Sequence, residues 1–213
     1  MKLLQLLMSF ATLGMLAGCA QNVTKYDYTA LREANPRSIL IVPVVNKTTQ
    51  VEAADTFLAT LASPIAEKGY YVFPINMVKH SMEDDGLGDA DMVANAPAQR
   101  LAGLFGADAV LYAEVNHWEA SYALISTTTT VSIRYVLKSG KSGATLWDNN
   151  VTITYSPQAS GGNPIAALIA DAIIAAIERA HPSYIPLANQ ANAVAFLDQN
   201  KGLLNGPYST KEH

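Results

Sequence analysis

The sequence predicts one mixed α/β domain, with a sheet of about five strands that includes a β hairpin and is flanked by helices. Three observations predict this fold class. Apolar runs rich in β-branched residues alternate with segments whose apolar residues recur every three or four positions. Two alternating segments that enclose a Gly-containing turn then follow, as in a hairpin. The length of 213 residues suits a single domain with a sizeable core, which we expect over residues 37–204.

Strands and helices alternate in the first half of the expected domain. Residues 38–46 are almost continuously apolar, which is typical of a strand buried on both faces, and Pro43 lies near its end. Residues 51–68 have helical spacing, and Pro64 indicates a kink or an early stop. A second strand is predicted over residues 70–75.

A second helix and a third strand are predicted next. The helix covers residues 98–105, with Pro97 at its start and Gly106 at its end. The strand covers residues 108–118. If consecutive strands are parallel, the right-handed crossover rule places the two helices on one face of the sheet.

A hairpin and two further helices complete the predicted domain. The strands of the hairpin cover residues 127–137 and 146–155, and residues 139–143 form its turn. A strongly apolar helix is predicted over residues 165–180, and an Ala-rich helix over residues 187–200.

Helix 165–180 is apolar around most of its girth, so it should be buried on two sides. One side can pack on its own sheet. The other side is covered either by helix 187–200 or by a partner subunit, and the two alternatives have equal weight. The candidate interface residues are Ile165, Leu168, Ile169, Ile173, Ile174 and Ile177.

The composition argues against several kinds of partner and site. The net charge of −4 argues against nucleic acid as a partner, because phosphate binding needs a concentrated basic face. The single Cys excludes an internal disulfide and the multi-cysteine zinc sites. Only 15% of the residues are charged, against a usual fraction of about 25%, so part of the chain should face something other than bulk water.

Residues 1–18 predict a lipoprotein signal peptide. Lys2 precedes an apolar run over residues 3–16, which is too short for an ordinary transmembrane helix, and small residues follow. The motif Leu16-Ala17-Gly18-Cys19 looks like a bacterial lipobox. By that resemblance Cys19 is acylated and becomes the first residue of the mature chain; the alternative is a buried free Cys. Several acyl chains would anchor firmly, since each buried CH₂ contributes about 0.8 kcal/mol.

Residues 19–36 are predicted to be the lipid anchor and its tether. They are polar with scattered aromatic residues, and Tyr26 and Tyr28 suit an extended arm that docks on a neighbouring protein. Ala20 follows the acylated Cys, whereas lipoproteins with Asp at that position tend to stay in the inner membrane. An outer-membrane location in a Gram-negative bacterium is therefore expected. At the other end of the chain, residues 205–213 are expected to form a flexible tail.

The acidic run over residues 83–91 is the candidate metal site. Ca²⁺ prefers six to eight oxygen ligands, and this run places five carboxylates around two glycines. Its spacing does not fit an EF-hand, and the alternative is a solvated loop. No cofactor is expected apart from this Ca²⁺. The candidate ligands are Glu83, Asp84, Asp85, Asp89 and Asp91.

No catalytic signature is found in the sequence. Gly140-Lys141-Ser142 lacks the first Gly of a phosphate loop and precedes a strand, and no Gly-x-Ser-x-Gly elbow occurs. The four histidines lack metal-ligand spacing. Glu114 and Glu119 should point to opposite faces of a strand, and Asp148 should serve the hairpin turn. The sequence therefore does not indicate an enzyme.

The order of these features resembles a known family. The lipobox is followed by the strand Ile41-Val42-Pro43-Val44-Val45-Asn46, then by Gly106-Ala107-Asp108-Ala109-Val110-Leu111 leading into a strand, and then by the Thr-rich hairpin. From Cys19 to about Leu204, the chain resembles the lipoprotein family of unknown function typified by the neisserial lipoprotein GNA-eleven-sixty-two. The resemblance implies a fold like the amino-terminal domain of TolB, related to that of curli-secretion lipoproteins.

The resemblance also implies an accessory role in envelope assemblies, often beside a curli-secretion-like lipoprotein. The sequence thus favours a lipid-anchored, non-enzymatic component of an outer-membrane secretion or transport complex. We expect it to act as a homo-oligomer or with other envelope lipoproteins, and not with nucleic acid. The alternative is a periplasmic metal- or small-ligand-binding protein or hydrolase that uses residues 83–91.

Overall fold

A mixed sheet of six strands organises the computed structural model, which describes residues 26–123, 126–155 and 184–210. The spatial order is β3-β1-β4-β5-β6, and β2 also pairs with β4. β1 pairs in parallel with β3 and β4, whereas β4, β5 and β6 form an antiparallel meander. The predicted fold class is therefore confirmed. The strands are β1 (Ser38–Ile41), β2 (Val45–Asn46), β3 (Tyr71–Val72), β4 (Ala109–Ala123), β5 (Ser126–Ser139) and β6 (Thr145–Tyr155).

Helices flank this sheet. Within the described ranges, none of them is long and apolar enough to cross a membrane. The last helix confirms the prediction over residues 187–200, with shifted ends. The helices are α1 (Thr29–Ala34), α2 (Ala53–Leu58), α3 (Ala62–Glu67), α4 (Ile75–Asp84), α5 (Ala90–Asn95), α6 (Ala98–Phe105) and α7 (Ile185–Leu197).

The helices cover both faces of the sheet, so the expectation that the first two predicted helices share a face is wrong. α2, α3 and α7 pack against one face, which includes Ile39 and Ile41. α4 and α6 pack against the other, which includes Leu40 and Val42. The reason is the strand order. Because β3 and β4 lie on opposite sides of β1, two crossovers of the same hand run in opposite directions and place their helices on opposite faces.

Two of the predicted helices rest on the position of a proline, and the structure confirms only one of them. The helix predicted over residues 98–105 is confirmed as α6, which ends at Gly106 in the left-handed conformation with φ 69°. The helix predicted over residues 51–68 is instead divided into α2 and α3. Pro64 does not end it but lies in the first turn of α3, where its missing N–H would have no helical partner.

A β-bulge in β4 corrects the prediction for Glu114 and Glu119. The register of β4 against β5 shifts between Val115 and His117. As a result Val115 and Trp118, which strict alternation would place on opposite faces, are both buried in the same core. The two glutamates adjacent to them therefore face the same way, away from that core.

An aromatic cluster joins α7 to β5 and β6. The ring of Phe196 lies 5.4 Å from that of Tyr135 and 5.7 Å from that of Trp147. All three side chains are buried. The indole N–H of Trp147 donates to the backbone oxygen of Lys201 at 2.8 Å, which also ties the segment after α7 to the sheet. Such aromatic contacts contribute large buried areas with specific geometry.

Asn192 completes this packing with hydrogen bonds. Its side chain is 1% exposed, and its Oδ1 accepts from the Tyr135 hydroxyl at 2.9 Å. Its Nδ2 donates to the backbone oxygen of Thr60 at 3.2 Å and to Oγ1 of the same residue at 2.9 Å. One buried amide thus connects α7, the centre of β5 and the break between α2 and α3.

The first prediction concerns this amide. Asn192→Ala should lower the free energy of unfolding by about 2–4 kcal/mol, because it leaves a cavity and an unsatisfied Tyr135 hydroxyl. The matched control, Asn189→Ala, changes an exposed residue of the same helix and should shift it by less than about 0.5 kcal/mol. Urea unfolding measures both. Equal small losses would show that the network does not hold α7.

Candidate functional site

Two of the predicted sites lie outside the described residues. These are the lipobox with Cys19, and helix 165–180 with its candidate interface residues. Both remain predictions from the sequence, because the structure describes neither the residues before Tyr26 nor residues 156–183.

The candidate calcium ligands are described, and the structure takes the acidic run into two helices. Glu83 and Asp84 are the last residues of α4, and Asp85 follows its end. Glu83 Oε2 lies 3.4 Å from Nδ1 of His80, one turn earlier on the same helix. The first three candidate ligands are thus part of a helix end and not of the predicted loop.

The remaining two acidic residues have other partners. Asp89 caps α5, where its carboxylate accepts from the Met92 N–H at 2.7 Å. Asp91 forms an ion pair with Lys47. Among the described residues, no group of three or more His, Cys, Asp or Glu side chains could hold a metal ion. The five carboxylates are therefore not assembled into the predicted calcium site.

A charged cleft of about 490 Å³ lies where α5 meets β4 and β5. Lys47 and Asp91 form one wall, and the hydrogen bond with Asp91 raises the pKa of Lys47 above its usual value. Glu114 lies opposite Arg134 in the β4–β5 register. The sequence analysis missed this cleft, because strand pairing and the packing of α5 bring together residues that are distant in sequence.

Tyr112 and Lys138 also line the cleft. The ammonium group of Lys138 lies 5.0 Å from the centre of the Tyr112 ring, a distance typical of a cation–π contact. Burial raises the pKa of the Tyr112 hydroxyl to about 12, so this group is a neutral hydrogen-bonding group at physiological pH. The cleft therefore offers ionic and hydrogen-bonding contacts to polar groups of a ligand or partner.

The amino-terminal end of the described chain is fastened to β6 by what we call the Tyr26 clasp, formed by Tyr26, Asp148 and Lys201. The Tyr26 hydroxyl donates to Oδ1 of Asp148 at 3.0 Å and accepts from the N–H of Asp148 at 2.9 Å. Lys201 Nζ lies 3.3 Å from Oδ2 of Asp148 and 5.2 Å from the centre of the Tyr26 ring. Burial is the largest factor that raises the pKa of Tyr26 to about 12.

The clasp corrects two expectations. Tyr26 does not extend toward a neighbour but docks on its own domain, and Tyr28 does the same by donating to the backbone oxygen of Gly202 at 2.6 Å. Asp148 does not serve the hairpin turn but holds Tyr26. The sequence contains no local signal for this contact, because 122 residues separate the two partners.

The carboxy-terminal segment also lies against the domain, where a flexible tail from residue 205 is expected. The N–H of Gly206 donates to the oxygen of Lys68 at 2.7 Å, and the N–H of Tyr208 donates to the oxygen of Gly69 at 3.0 Å. Gly69 has φ 86°, and a Cβ there would lie 2.2 Å from the backbone nitrogen of Ser209. Only glycine allows this approach. The ordered segment thus extends beyond the expected boundary.

An apolar groove of about 580 Å³ opens between α2, α3 and α7. Ile185 and Leu197 line it and are 47% and 64% exposed, which is high for such side chains. Its residue Ile185 lies two positions after residue 183, the last residue of a segment that the structure does not describe. It is therefore a second surface on which apolar groups of a partner could pack.

Comparison with known proteins identifies related lipoproteins. A family model described as "Putative lipoprotein GNA1162-like" matches residues 26–208. A curated protein of Neisseria meningitidis serogroup B, described as "Putative lipoprotein NMB1124/NMB1162", is 30% identical over 213 residues, covering 97% of each chain. The region that the family model matches begins at Tyr26 and thus includes the three residues of the clasp.

A solved structure of a related lipoprotein has the same fold. The crystal structure of lipoprotein GNA1162 from Neisseria meningitidis is 31% identical and has a TM-score of 0.56, covering 68% of this chain and 100% of that chain. A PelC dodecamer from Paraburkholderia phytofirmans is 18% identical, with a TM-score of 0.43, covering 72% of this chain and 89% of that chain.

The second prediction tests the clasp. Tyr26→Phe removes both hydrogen bonds with Asp148 and should lower the free energy of unfolding by about 0.5–2 kcal/mol. The matched control is Tyr71→Phe, because the Tyr71 side chain is 53% exposed and its ring contact with Phe73 does not need the hydroxyl. The control should have almost no effect in the same urea unfolding experiment. If the two variants unfold alike, the clasp contributes nothing.

Proposed function

Since the chain belongs to the GNA1162-like lipoprotein family, we propose that it is a lipid-anchored, non-enzymatic component of a protein assembly at the outer membrane. In this function Cys19 carries the lipid, and the domain provides contacts for other proteins of a secretion or transport complex. Those partners are further copies of the chain or an envelope lipoprotein of the curli-secretion type.

The Tyr26 clasp is the observation that carries the proposal. Seven residue steps separate Cys19 from Tyr26, and a fully extended chain spans at most about 3.4 Å per residue. Tyr26 therefore lies within about 24 Å of an acylated Cys19. A spacer this short suits a domain that works beside the membrane, in contact with neighbours held at the same surface.

Exposed apolar groups support a role in protein contacts. Ile185 and Leu197 lie at the two ends of α7 and line the same groove, which residues of α3 also line. Single exposed apolar residues are ordinary, but apolar groups that share one groove are typical of an interaction surface. The charged cleft at Lys47 adds a polar surface on the other face of the sheet.

The acidic run over residues 83–91 was the observation that favoured the alternative function. A metal-binding or hydrolytic protein would use the acidic residues of the 83–91 run together. In the described structure Asp89 caps α5 and Asp91 pairs with Lys47, so these two carboxylates are engaged elsewhere. The assembly function is therefore the one that the geometry favours.

The third prediction tests the anchor. Cys19→Ala should abolish incorporation of labelled palmitate and release the protein from the membrane fraction, because no other Cys is present. Ala20→Asp is the matched control. It keeps the acylated Cys, so palmitate should still be incorporated, but the protein should move from the outer-membrane to the inner-membrane fraction on a density gradient. Palmitate labelling of the Cys19→Ala chain would contradict the proposal.

A further inference from the structure

Among the described residues, the outer edge of β6 has no partner in its second half. Within the described residues β6 is the last strand of the sheet and pairs only with β5. In an antiparallel pair, the backbone groups of every second residue point away from the partner strand. The N–H of Asp148 donates to Tyr26 and so points outward. By the same alternation, the N–H and C=O groups of Thr152 and Thr154 also point outward.

The first half of this edge is closed by local contacts. The clasp occupies the N–H of Asp148, and the N–H of Asn150 is satisfied by Oδ1 of Asn149 at 2.9 Å. The hydroxyl groups of the two threonines do not bond to the outward backbone of this half, because each lies against a hydroxyl group of β5. Oγ1 of Thr152 lies 2.9 Å from Oγ of Ser132, across the strand pair. In the part of the chain that is described, nothing accepts or donates a hydrogen bond at the outward backbone of Thr152 or Thr154.

The opposite edge of the meander is protected, in contrast to β6. Beyond β2, the edge strand β4 has the bulge between Val115 and His117. It also carries the His117–Glu119 pair, whose Nε2 and Oε2 are 3.7 Å apart. Bulges and charged side chains are devices that prevent edge-to-edge pairing. Residues 151–155 of β6, with the sequence V-T-I-T-Y, have no charge, no proline and no register shift.

We infer that this open edge of β6 pairs with the same edge of a second copy of the chain, an inference that rests on the proposed function. The two strands run antiparallel about a two-fold axis at Ile153. Thr152 of each copy then lies opposite Thr154 of the other, and each such pair exchanges two backbone hydrogen bonds. The outward groups of one copy are thereby matched by the same groups of the other, which is what an isologous interface requires.

The chemistry of the edge fits a copy of itself. No like charges oppose one another in this register, because residues 151–155 are uncharged. Val151 is buried in the core of the α7 face and Ile153 packs against it. Pairing about Ile153 therefore continues the apolar face of one sheet into the next, so that the hydrogen bonds are accompanied by apolar contact.

The membrane anchor favours this pairing. The clasp lies on β6 itself, and the short spacer from Cys19 holds the edge of every copy at a similar height above the same membrane. Confinement to one surface raises the effective concentration of the second copy, so even a small interface forms. The strand contact alone is short, and we expect the dimer to depend on this confinement.

The test is disulfide trapping in the full-length, acylated protein in its own membranes. Acylation blocks Cys19, so Ile153→Cys introduces the one free thiol. Directly opposed residues of a non-hydrogen-bonded pair have Cα atoms about 4.5 Å apart, within the range of a disulfide. Ile153→Cys should therefore form a covalent dimer on mild oxidation. Thr130→Cys is the matched control on β5, one strand away from the edge, and should remain monomeric.

A second pair of variants tests the edge hydrogen bonds in the Ile153→Cys background. Thr152→Pro removes an outward N–H without breaking a bond to β5, and should reduce the trapped dimer at least tenfold. Thr152→Ala keeps the N–H and should retain the dimer. Circular dichroism of each variant confirms the fold.

Equal trapping of Ile153→Cys and Thr130→Cys would overturn the inference, as would a dimer insensitive to Thr152→Pro. Trapping of another envelope protein, or no trapping because the chain's own residues 156–183 cover the edge, would overturn it too. Palmitate labelling of the same samples separates the two claims. An acylated but untrapped chain refutes only the pairing, whereas an unacylated chain refutes the proposed anchor.

Discussion

The two hydrogen bonds between Tyr26 and Asp148 fix the geometry on which the other features depend. They place the start of the domain on β6, so the distance from a lipid on Cys19 is set by seven residue steps. They also satisfy the outward N–H of Asp148, and Asn149 satisfies that of Asn150, whereas the outward backbone of Thr152 and Thr154 has no hydrogen-bond partner among the described residues. If Cys19 carries the lipid as proposed, one tyrosine limits how far the domain can lie from the membrane.

The residues directly after α7 pack beside the same strand. Trp147 donates to the oxygen of Lys201, and Tyr28 donates to the oxygen of Gly202. The ammonium group of Lys201 donates to Oδ2 of Asp148 at 3.3 Å. The start of the domain and residues 201–202 are therefore fastened beside β6, with α7 held over the sheet by Asn192. Residues 206–208 bind instead at Lys68 and Gly69, next to β3 at the other edge of the sheet. Residues that are distant in sequence thus hold the start of the domain, β6 and the residues after α7 together.

Local signals made part of the fold predictable. α6 has Pro97 before it and Gly106 after it, and its ends match the prediction. The helices α4 and α5 were not predicted, although Val78 and Met82 of α4 recur at helical spacing and are buried. The many charged residues around them led to the interpretation of the carboxylates as one loop. The division of the helices between two faces depends on strand order, and the orientation of Glu119 depends on a bulge. Neither has a local signature, and the Tyr26 clasp joins residues 122 positions apart.

The distance between β6 and the membrane tests these conclusions most directly. In the acylated protein in lipid nanodiscs, a dye on Asn150→Cys can report energy transfer to acceptor-labelled lipid headgroups. The 24 Å spacer, one tyrosine side chain and two strand residues together allow at most about 40 Å between Cys19 and this position. We expect a separation within that bound. A larger separation would mean that Tyr26 is not held on β6 or that the lipid is not on Cys19.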